Sequence, residues 1–106
     1  MAAPYSTLFA VLDAGDDEAS YTVPAGQVAV LRDLIVFMYG AGGAAQAIDI
    51  TRAPKGTLYY TSSTEDVFYE HLELRQVLNP GDTLNITPSG AGSITAMVSG
   101  YLLASP

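Results

Sequence analysis

The chain has 106 residues, of which 14% are charged and 49% hydrophobic, with a formal net charge of −7 and no cysteine. That profile defines a single globular domain, residues 1–106, large enough to hold a core without staples, and excludes a disordered segment. The acidic balance excludes the cationic footprint that nucleic acid or anionic lipid requires, and the lack of thiols excludes a disulfide framework or a thiolate metal site.

The N-terminal residues place no basic region before their apolar patch, and no apolar run reaches the roughly 20 residues that span a bilayer. We therefore expect no signal peptide, no membrane partner and synthesis in a cytoplasm. Tyr5 to Leu12 predicts a first strand that is apolar on both faces: Tyr5, Phe9 and Val11 on one, Leu8, Ala10 and Leu12 on the other. Asp13 to Glu18 reads as a solvated turn. Ala19, Tyr21 and Val23 then alternate with Ser20 and Thr22, the period of a half-buried strand. Pro24-Ala25-Gly26 closes that strand, because proline fixes φ and glycine accepts positive φ.

Gln27 to Tyr39 is the longest apolar run. Val28, Leu31, Ile35 and Met38 also fit helical spacing, so a buried helix is a rival reading. The run is rich in Val, Ile, Phe and Tyr and lacks an N-cap residue, which favours a strand, with Arg32-Asp33 marking a bulge where the facing changes. Gly40 to Gly43 reads as a loop. A strand with Ile48 and Ile50 inward follows, then a turn at Ala53 to Gly56 and a short strand at Thr57 to Thr61, broken at Ser62 to Asp66. From Val67 to Leu78, Leu72, Leu74 and Leu78 share one face, and Tyr69, His71, Glu73 and Arg75 the other. Asn79-Pro80-Gly81-Asp82 has the proline and glycine of a β-turn. Leu84 and Ile86 alternate with Thr83, Asn85 and Thr87, Pro88 to Gly92 reads as the last turn, and Ile94 to Leu103 ends the pattern. The expected fold is an all-β, single-domain antiparallel β-sandwich, jelly-roll-like, with about eight strands. Pro24, Gly26, Pro80 and Gly81 are its structural turn residues.

Reaction chemistry is thin. His71 and Glu73 share a strand face, but a zinc site takes three or more protein ligands, and His71 is the sole histidine. The plainer reading is a surface or interface histidine. Asp13, Asp16, Asp17 and Glu18 do not follow the EF-hand spacing and read as a solvated loop. Gly40 to Gly43 lacks the lysine of a phosphate-binding loop, and no G-x-S-x-G elbow occurs. We expect no enzyme, no metal and no cofactor. What remains is surface. Seven tyrosines exceed what one small core usually needs, and the doubly apolar strands call for a neighbour on their second face. A homo-oligomer follows, with Tyr5, Phe9, Tyr39, Tyr69, His71 and Arg75 as candidate interface residues.

Three stretches together carry a family resemblance: Tyr21-Thr-Val-Pro-Ala-Gly-Gln-Val-Ala-Val-Leu-Arg-Asp33, Leu78-Asn-Pro-Gly-Asp-Thr-Leu84 and Val98-Ser-Gly-Tyr101. In this order, over most of residues 5 to 103, the chain resembles small tailed-bacteriophage virion proteins of β-sandwich type. It departs from their pattern at Gln27, where lysine is usual, and in its Ala/Gly loop at 40 to 45. The resemblance implies a jelly-roll virion component without catalytic residues, located on the capsid surface as a decoration or cement protein, or in the tail. A decoration protein of this kind implies a trimer that binds the major capsid protein lattice. The rival is a tail-associated, receptor-binding or carbohydrate-binding module using exposed tyrosines. Sugar platforms favour tryptophan, which is absent, and an enzyme of jelly-roll type ranks last for want of histidines.

Overall fold

The computed structural model describes residues 7–40, 43–53, 56–90 and 92–104. Tyr5, and parts of the expected loops at 40–43, 53–56 and 88–92, lie outside the described residues. Eight strands follow in chain order: β1 (Thr7–Leu12), β2 (Ala19–Thr22), β3 (Gln27–Tyr39), β4 (Gln46–Ala53), β5 (Thr57–Ser63), β6 (Val67–Leu78), β7 (Thr83–Gly90) and β8 (Ser93–Ala104). They form two four-stranded sheets, β1-β8-β3-β6 and β2-β7-β4-β5, antiparallel throughout. Only β4 and β5 are consecutive strands in the same sheet; every other connection crosses between the two layers. That order is the jelly roll, and the all-β sandwich expected from the alternation is the fold.

β3 is a strand of 13 residues and not a helix, because it is paired on both sides, with β8 and with β6. Ala29, Leu31, Leu34, Val36 and Met38 are buried between the sheets, while Val28, Val30, Asp33, Ile35 and Phe37 turn outward. The inward phase slips by one residue at Arg32, where both ladders pass from Leu31 to Asp33, so the bulge expected there is present. That bulge explains a glycine elsewhere. Gly100 of β8 lies against it, and a Cβ there would collide with the Val30 carbonyl oxygen and come within 3.1 Å of the Arg32 nitrogen.

The two turn motifs meet in space. Gly26 and Gly81 hold φ of 80° and 87°, as the third residues of their turns require. The Val23 N–H donates to the Asp82 carbonyl at 2.9 Å, and the Gly81 N–H donates to the Val23 carbonyl at 3.0 Å. Asp82 Oδ2 accepts from the Asn79 N–H at 2.9 Å and from Arg52 Nη2 at 2.8 Å. Pro24-Gly26, Asn79-Asp82 and the end of β4 are thus one bonded corner.

Two expectations are corrected. Phe9 is not an outward residue: the β1–β8 register shifts between Leu8 and Ala10, and Phe9 turns inward beside Ala10. It is 6% exposed and its ring packs 5.0 Å from that of Tyr21, so it belongs to the core of its own subunit. Pro88 does not begin a turn but continues β7, opposite Ile48 of β4. Pairing with β2 ends at Ile86, so at Pro88 β7 has an open edge on its β2 side, the setting in which a strand tolerates proline. The core fills the space between the layers with Leu12, Leu31, Leu34, Ile48, Leu78, Leu84 and others, each contributing about 1.5–3 kcal/mol by burial.

Candidate interaction surface

Each sheet turns one face to the core and one outward, and the two outward faces differ in chemistry. The outer face of β2-β7-β4-β5 carries Ser20, Thr22, Asn85, Thr87, Ala47, Asp49, Thr51 and Ser62, with Tyr60 the sole large apolar group among the described residues. It is a surface made for water. The outer face of β1-β8-β3-β6 is the opposite. Among the described residues nine large apolar side chains are exposed, and eight of them, all but Tyr60, stand on it, so exposed apolar surface is concentrated on one side of the sandwich.

The register sets these side chains in rows. Val11, Met97, Ile35 and His71 lie across one row. Thr95, Phe37 and Tyr69 lie across the next, followed by Ser93, Tyr39 and Val67. Phe37 binds this end together, its ring 5.2 Å from Tyr39 and 6.5 Å, edge on, from Tyr69. Towards the other end, Tyr101, Val30 and Val77 form a second apolar group, continued by Leu103 and Val28. Val67 and Tyr69 are 60% and 62% exposed and extend the Phe37 and Tyr39 group into one contiguous patch, which marks an interaction site where scattered apolar residues do not.

A polar belt separates the two apolar ends. His71 Nε2 lies 3.1 Å from Asp33 Oδ1. Asp33 is also the direct cross-strand partner of Glu73, a pair of like charges side by side. Arg32 and Arg75 are exposed at this level. The belt therefore balances two arginines against two carboxylates, and the whole surplus of −7 sits elsewhere on the chain. A face that is apolar and electrically balanced on an otherwise acidic protein can meet another copy without net repulsion.

The expected interface residues divide accordingly. Tyr39, Tyr69, His71 and Arg75 all stand on or beside this face, Phe9 is buried, and Tyr5 lies outside the described residues. Sequence reasoning missed Ile35, Phe37, Val67, Val77, Met97 and Leu103. The signal was the doubly apolar character of β1 and β3, but only the strand order shows that those two strands share one sheet.

Chemistry of other kinds has little to work with. Among the described residues no group of three or more His, Cys, Asp or Glu side chains is placed to hold a metal ion. The acidic loop satisfies itself: the Asp13 N–H donates to Asp16 Oδ2 at 2.9 Å and the Asp16 N–H to the Asp13 carbonyl at 3.0 Å. One open cleft of about 310 Å³ runs beside this loop and Ser89, and another of about 410 Å³ lies beside Ser62, Ser63 and Glu65; His71 lines neither.

No protein-family model matches the chain, and no curated protein sequence is significantly similar to it. A solved structure, the Agl-KA catalytic domain, aligns with 95% of this chain at 19% identity and a TM-score of 0.44. The chain spans 25% of that protein's length, and a likeness of that strength bears no functional argument.

Proposed function

We propose that this chain is a non-enzymatic structural subunit of a tailed-bacteriophage virion, a capsid decoration or cement protein. In this reading it self-associates, a trimer being favoured, and binds the lattice of the major capsid protein on the outside of the head. The observation that carries the reading is the contrast between its two outer faces: one is covered with serine, threonine and asparagine, the other with exposed Leu, Val, Met and Tyr at zero net charge. The virion assignment draws on the resemblance carried by the two turn motifs and Val98-Ser-Gly-Tyr101. The bonded corner at Val23, Gly81 and Asp82 and the fit of Gly100 to the β3 bulge give those motifs structural roles in one fold.

A cement protein works by binding the assembled lattice more tightly than free capsid subunits, which shifts the equilibrium towards the intact head. The test is co-sedimentation with empty, expanded cognate heads and with the free major capsid protein. The reading expects retention on the expanded heads alone, with heads that then resist heat better. A monomer that ignores heads and is retained on a glycan array would overturn it. One observation favours the carbohydrate-binding alternative: on the polar sheet Tyr60 is 59% exposed and stands directly opposite Asp49 on the neighbouring strand. An aromatic plane next to a carboxylate is the minimal sugar platform, and the glycan array reads it directly.

A further inference from the structure

Of the four strands that end a sheet, β6 is the longest, with 12 residues against 4, 6 and 7 in β2, β1 and β5. Its ladder partner is β3 on one side, and among the described residues no strand pairs with the other. A long open edge offers a row of unpaired N–H and C=O groups, which proteins usually blunt with lysine, proline or a very short strand. β6 contains neither lysine nor proline, and its inward-pointing charge is the single Glu70, opposite Val36. Its ladder with β3 is continuous from Val67 to Glu73 and is interrupted only around Leu74 and Arg75.

We infer that the β6 edge pairs with the β6 edge of a second copy, antiparallel about a two-fold axis at Leu72, so that the two first sheets become one eight-stranded sheet. The residues choose this register. With Leu72 opposite Leu72, His71 faces Glu73 twice, Tyr69 faces Arg75 twice and Val67 faces Val77 twice, so all three outward-facing pair types are complementary. An axis at Leu74 would set Glu73 against Arg75 but leave Val67 to Tyr69 of each strand without a partner, and the nearer alternatives that keep the same face outward shift the axis by one residue. An axis at Glu73 sets Glu73 against Glu73 and His71 against Arg75. An axis at His71 sets His71 against His71, Tyr69 against Glu73 and Val67 against Arg75. Both lose the charge match.

The subunit itself supplies the reason for the Glu73 contact. Asp33 and Glu73 oppose each other across β3 and β6, and His71 bonds to Asp33. Among the described residues Glu73 has no cationic partner. A second copy brings its own His71 opposite Glu73, so each carboxylate of the like-charged pair gains one imidazole. Because a two-fold axis normal to the sheet keeps both outer faces on the same side, the pairing also joins the two apolar faces into one surface. The contact goes beyond the virion reading and stands apart from it: capsid binding reports the face, and a site-specific crosslink between His71 and Glu73 positions reports the edge.

Since the chain has no cysteine, two single variants supply the probe, His71→Cys and Glu73→Cys. Residues opposite each other in an antiparallel pair have Cα atoms about 4.5–5.5 Å apart, within reach of a disulfide. In a glutathione redox buffer, an equimolar mixture should form the disulfide-linked heterodimer well above the yield of either variant alone. A mixture that crosslinks no better than its components, or no better than Thr87→Cys on the opposite sheet mixed with Glu73→Cys, would overturn the pairing. Sedimentation velocity gives a second reading. Glu73→Lys should weaken dimer formation about tenfold or more, since the lost pair occurs twice in a two-fold contact, and adding His71→Glu should restore it. An unchanged dissociation constant in Glu73→Lys, or no recovery in the double variant, would also overturn it.

Discussion

Gly100→Ala adds one carbon at the tightest point of the fold. That Cβ would collide with the Val30 carbonyl oxygen and lie 2.9 Å from its carbon and 3.1 Å from the Arg32 nitrogen. All three are backbone atoms of the β3 bulge, so no side chain can swing aside to make room. Relief requires β3 and β8 to separate or the bulge to move along the strand, which would shift every inward residue beyond it. Overpacking costs about 1–3 kcal/mol, and backbone on the receiving side puts this case near 3 kcal/mol. Stiffening the unfolded chain offsets about 0.5–1 kcal/mol of that. The net loss of roughly 2 kcal/mol corresponds to a fall in Tm of about 8–16 °C for a domain of this size. Thermal and urea unfolding followed by circular dichroism measures it, with Ser99→Ala, one residue away on the outer face, expected within about 0.5 kcal/mol of wild type. A Gly100→Ala protein melting within about 2 °C of wild type would refute the account of the bulge.

Val36 is fully buried in β3, opposite Ala96 on one side and Glu70 on the other; Val36→Asp should cost about 4 kcal/mol or more and abolish the cooperative thermal transition. Gln46 is 1% exposed and, among the described residues, neither its amide nitrogen nor its oxygen has a hydrogen-bond partner, so Gln46→Met should raise stability by about 1–3 kcal/mol in urea melts. The double change Ile35→Thr with Tyr69→Ser removes two groups from the outer face. It should leave the melting of dilute, monomeric protein within a few degrees of wild type while weakening self-association about tenfold or more, as read by sedimentation.

The alternation of Ala19 to Val23 and of Leu84 to Ile86, together with Pro80-Gly81, was enough to read strands and turns, because in both cases the signal is local. The Arg32 bulge was legible for a similar reason: a charged pair inside an apolar run has to change phase to escape the core. Phe9 was misread because its inward turn depends on a register shift against β8, ninety residues away in the chain, that no local pattern records. Pro88 was misread because a strand tolerates proline at an open edge, and β7 has one on its β2 side once pairing with β2 ends. The candidate surface was half visible. Tyr39, Tyr69, His71 and Arg75 stood out as residues, but the asymmetry between the sheets needed the strand order. Only that order brings Met97 of β8, Ile35 of β3 and Val11 of β1 into one row.

The central claim is that the outer face of β1-β8-β3-β6 exists to be covered by protein, and the most direct measurement is sedimentation velocity of the wild-type chain across a micromolar concentration range. The account predicts a discrete oligomer, dissociating under the Ile35→Thr/Tyr69→Ser change and insensitive to Thr87→Ala on the polar sheet. A wild-type protein that sediments as a soluble monomer throughout that range would contradict it.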